Sequence, residues 1–317
     1  MVERPTDRVD FSEIGSPEER LSFLVSSIQE AETLRVAGYR GGEYDDSYYY
    51  QAGQRAGNAA ARFELLNVPE SQWEEMDSKE LSGLAHICLL ISSIGLSRVT
   101  HTMNDRSVKE VGLESYAKFL SRAEEIATVL ADRGFLETID GNKFLWPVEV
   151  ERNWARFYQS VADLREPDTC LRLAKDKYDA ASRKAVELIA SPNRAVSFSA
   201  KMAHGTTIVE SAMVGLKLDQ HSPDTFSLRE KFTTALVFMD SSWTDGCKEW
   251  DRFDAGLNRM TGVLEDRDGL EDLRGTVIRR RIDFLEEIIE YWEGEGPDLV
   301  AKSRLADMRE KHPSFFN

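Results

Sequence analysis

The sequence predicts a mainly α, multi-helix protein carrying one β-hairpin near residues 135–146. Three observations lead there. Apolar residues recur at spacings of three and four through most of the 317-residue chain. Gly41-Gly42, Pro69, Pro147, Pro167, Pro192, Pro223 and Gly296-Pro297 punctuate it at intervals of helical length. One strong tight-turn signal, Asp140-Gly141-Asn142, stands between two short apolar runs.

The first helix begins at Ser16-Pro17-Glu18-Glu19. Ser16 is the N-cap, Pro17 takes the first helical position, and Glu19 closes a capping box. The helix runs to about Val36 and stops at the glycines from Gly38 onward. Helices follow over Ser47–Leu66 and Ser78–Ile94, the latter carrying Leu84, Ile87, Cys88, Leu90 and Ile91. A short helix over Ser107–Val111 precedes a longer one over residues 114–133, whose face is Tyr116, Phe119/Leu120, Ala123, Ile126/Ala127 and Leu130. Phe135–Ile139 and Lys143–Trp146 then read as the two strands of the hairpin. Beyond Glu151 nearly everything is helix: 152–165, 170–190, 193/194–218, 226–243, 248–264, a stripe from Val277 to Trp292, and 299–311. The elements group as an N-terminal helical segment (1–77), a module at 78–150 and a C-terminal helical domain (151–317).

A helix that runs directly into a DG hairpin resembles a winged-helix module, here over about residues 80–148. The resemblance implies that 114–133 is a recognition helix and 135–146 a wing. It also names DNA-contact candidates: Arg106, Lys118 and Arg122 beside or on the helix, and Lys143 in the wing.

Charge weighs against that use. Lys and Arg number 40 against 56 Asp and Glu, a formal net charge of −16. Such a chain is repelled by polyanions unless its positive charge is concentrated. Between Arg98 and Arg133, six basic residues face six acidic ones, so no excess exists to neutralise phosphates. Arg279-Arg280-Arg281 is the only basic triplet, and Asp283 lies at pairing distance from its first two members, so it reads as a partly neutralised solvated face.

Motifs for chemistry are sparse. Neither GxxxxGK[ST] nor GxGxxG occurs, and there is no GxSxG, HExxH or Glu-x-x-His pair. No cofactor and no metal is expected. Of the five histidines, His86 lies on an apolar helix and reads as a core residue. His101 and His204 are the candidates for a polar site, His101 in a polar connection and His204 beside Gly205. Asp240, Asp245, Glu249, Asp251 and Asp254 surround Trp243 and Trp250, a composition that suits a cation or sugar but more often makes an acidic surface. Tyr44, Tyr48, Tyr49 and Tyr50 crowd one stretch next to Asp45-Asp46 and are the candidates for protein contact.

Cys88, Cys170 and Cys247 form no CxxC pair and no zinc spacing, which points to a reducing compartment. The first residues lack a signal-peptide pattern, and the weakly polar run Gly83–Leu96 contains His86, so the expected location is the cytoplasm with no membrane partner. The leading expectation is a helical interaction or assembly subunit of a larger complex, with a protein partner or self-association. A DNA-associated regulator comes second, and a helical enzyme whose site no motif reveals comes third.

Overall fold

The computed structural model describes residues 16–37, 50–57, 73, 75–101, 106–136, 145–219, 225–246, 249–265, 267–292 and 296–316. The chain divides into two compact units, Met1–Lys177 and Tyr178–Asn317.

In the first unit, α1 spans Pro17–Ala37. Its capping box forms as the sequence dictates: the Ser16 N–H donates to Glu19 Oε2 at 2.8 Å, and the Glu19 N–H to Ser16 Oγ at 3.4 Å. Residues 50–57 are helical. Helix α2, Ser78–His101, opens with a second capping box that the sequence reading missed. There the Lys79 N–H donates to Asp77 Oδ1 and the Asp77 N–H to Glu80 Oε2.

Helix α2 is the axis of this unit. Over Ser78–Leu96 it is long and apolar enough to cross a membrane, but 89% of that stretch is buried in the structure. Leu24, Ile28 and Ala31 of α1 and Leu120, Ala123, Ile126 and Leu130 of α3 (Arg106–Asp132) join it in one apolar core. Gly95 allows α2 and α3 to close, since a Cβ there would overlap the Tyr116 ring.

The hairpin expectation is overturned: no strand occurs among the described residues. Helix α3 is continuous from Arg106, so the short helix expected at Ser107–Val111 is its first turn. It ends in a Schellman motif, with Gly134 at φ +67°, its N–H on Ala131 O and the Phe135 N–H on Leu130 O. On the far side, Leu145 is the N-cap residue and Trp146 the first residue of α4, Trp146–Ala162. The half of the hairpin expected to end at Trp146 therefore runs into a helix. Pro147 explains this, because it lacks the N–H that a ladder needs and suits the first turn of a helix. Trp146 is fully buried, and this anchors the helix start in the core. Residues 137–144, including the Asp140-Gly141-Asn142 turn, lie outside the described residues.

Helix α5 spans Pro167–Ile189, and the boundary between the units falls within it. The second unit continues with α6 (Arg194–Leu218), α7 (Thr225–Thr244), α8 (Trp250–Glu265), α9 (Glu271–Tyr291), α10 (Gly296–Lys311) and a 3-10 turn at Pro313–Phe315. Asn193 caps α6 by accepting from the Ala195 and Val196 N–H groups. Its core is Met202, Val209, Phe232, Met239, Phe253, Leu257, Met260, Val277, Phe284 and Leu285 with their neighbours. Small residues set the close approach of α6 to α7. A Cβ on Gly205 would lie 2.6 Å from Met239 Cγ and 2.8 Å from the Ala235 carbonyl oxygen.

A buried ionic triad ties α8, α9 and α10 together. Asp254, 2% exposed, accepts from Arg281 Nε at 2.7 Å and Nη2 at 3.3 Å, and from Arg304 Nη1 at 2.9 Å. Arg281 also donates to Asn258 Oδ1, and Arg304 to Asp251 Oδ1 while lying over the Trp250 ring.

Candidate functional site

Helix α6 carries a buried polar seam as well as its apolar face. His204, Thr207 and Ser211 recur at spacings of three and four and so share one side of the helix. Ser211 Oγ donates to Asp179 Oδ1 at 2.8 Å, and Ser182 Oγ lies 2.9 Å from His204 Nδ1, both partners coming from α5. The His204 ring meets Phe238 edge-on at 4.5 Å. Burial lowers its pKa below the ordinary 6.5, outweighing the opposing hydrogen bond with Ser182. The imidazole is thus neutral at pH 7, with its Nδ1 engaged by a hydroxyl. Thr207 Oγ1 is buried with no hydrogen-bond partner among the described residues.

Nucleophilic catalysis by a serine needs a base that is itself oriented by a third group. Among the described residues no carboxylate lies within ion-pair distance of His204, so Ser182 and His204 make a pair and not a relay. The seam joins α5 and α6 through these two side-chain contacts. His101 closes α2, but its side chain lies outside the described residues, and nothing described brings it to His204.

The carboxylates around Trp243 and Trp250 are paired with bases. Lys201 holds Asp245, Arg280 holds Asp240, Arg252 holds Glu249, and the triad takes Asp251 and Asp254. Neither a cation site nor a free acidic surface results. Among the described residues no group of three His, Cys, Asp or Glu side chains is placed to hold a metal ion.

Of the DNA-contact candidates, Lys118 is exposed on α3. Arg122 is not a surface group: its guanidinium lies 4.3 Å from the Trp73 ring centroid and pairs with Glu125 at 2.9 Å. Arg133 reinforces the same turn by donating to the Met76 and Trp73 carbonyls. The Arg106 side chain and Lys143 lie outside the described residues, as do Tyr44, Tyr48 and Tyr49. Tyr50 is exposed, and its hydroxyl accepts from Gln54.

A feature absent from the sequence reading is the outward face of α7. Leu228, Phe232, Ala235, Met239 and Ser242 face the core. On the other side Phe226, Glu230, Thr233 and Val237 recur at spacings of four, three and four and are all exposed. Phe226 is 74% and Val237 61% exposed. The signal was available, since the apolar residues of this helix are more numerous than one buried stripe requires.

Compared with protein-family models, with curated proteins and with solved structures, the chain matches none. The class of protein is therefore set by its architecture: an acidic chain of two helical units.

Proposed function

We propose that this chain is a helical interaction subunit whose second unit contacts another protein through the outward face of α7. The observation that carries the reading is Phe226 and Val237 on one side of one helix, at exposures that leave most of both side chains in water. Burying them releases apolar surface at roughly 25 cal/mol per Å², and aromatic residues are the usual anchors of protein contacts. Glu230 and Thr233 lie between them on the same exposed face. Cys88 and Cys170 are free and buried thiols, which supports the cytoplasm as the compartment.

The test is the solution mass of the full chain, by size exclusion with light scattering, alone and as isolated from its host. The expected result is a mass above 36.0 kDa, from a second copy or a stoichiometric partner, and reversion to the monomer in a Phe226→Glu/Val237→Glu variant of unchanged helicity. A wild type that is monomeric and partner-free overturns the reading, as does a complex that the variant retains.

A further inference from the structure

We draw no further inference here: the strongest candidate, the buried polar side of α6 where Thr207 Oγ1 has no partner among the described residues and lies along the helix between His204 and Ser211, belongs to the site already described, and nothing in the structure shows what would occupy it.

Discussion

Replacing Asp254 by alanine tests whether the second unit is held by its buried charges. The carboxylate is 2% exposed and accepts three hydrogen bonds from two guanidiniums. The arginine side chains are themselves only 11% and 14% exposed. Removing the acid leaves two largely buried positive charges facing each other, with Asn258 and Asp251 among their other partners. Breaking such a set from one side costs about 3–5 kcal/mol. For a unit of this size that is a fall in midpoint of about 10 °C or more.

Urea and thermal unfolding of the full chain, followed by circular dichroism and tryptophan emission, read the effect. Asp245→Ala is the internal control, because its pair with Lys201 is partly exposed and screened by solvent, so its loss should cost far less. The triple change Asp254→Leu/Arg281→Met/Arg304→Leu removes every member together and should recover most of the loss. An Asp254 variant no less stable than the Asp245 variant would refute the reasoning.

Gly205→Ala should destabilise the second unit by roughly 1–3 kcal/mol, since the new Cβ meets Met239 and the Ala235 carbonyl; denaturant midpoints check this, and a neutral result means that α6 and α7 can separate freely. His204 has a folded pKa below the ordinary 6.5, so as pH falls below about 6.5 the unfolded chain binds a proton that the folded chain refuses. Stability should therefore decline on acidification from pH 7 to 5 more steeply in wild type than in His204→Gln, and parallel curves of melting temperature against pH would contradict it. Asp272 is held down to about 2, first by the Arg229 hydrogen bonds and then by the Leu273 N–H. Its contribution is present above the ordinary 3.8 and is lost as pH falls toward 2. A carboxyl NMR titration should place its midpoint near 2 and return it toward 3.8 in Arg229→Ala.

Much of the helical layout was readable from local chemistry. Ser16, Pro17 and Glu19 specify the start of α1, and Asn193 that of α6, because caps and first-turn prolines act over three or four residues. His86 reads correctly as a core residue: it is buried on α2 at the edge of Trp146. The hairpin expectation fails because hydrophobicity and the Asp140-Gly141-Asn142 turn signal favour a strand at Lys143–Trp146, while Pro147 and the burial of Trp146 favour a helix start. His204 was a fair candidate, but its partners Ser182 and Phe238 lie 22 and 34 residues away along the chain. No spacing rule reaches them.

The sequence by itself determined the helical class, most helix boundaries and the acidic character, since these depend on neighbours within one or two turns and on composition. Only the tertiary structure decided which charges are neutralised. Arg281, with no local partner, is buried on Asp254, while Arg279, with Asp283 in reach on paper, lies on Phe315. Pairing across helices is fixed by side-chain direction and by where packing leaves room, and neither is written in the order of residues along one helix.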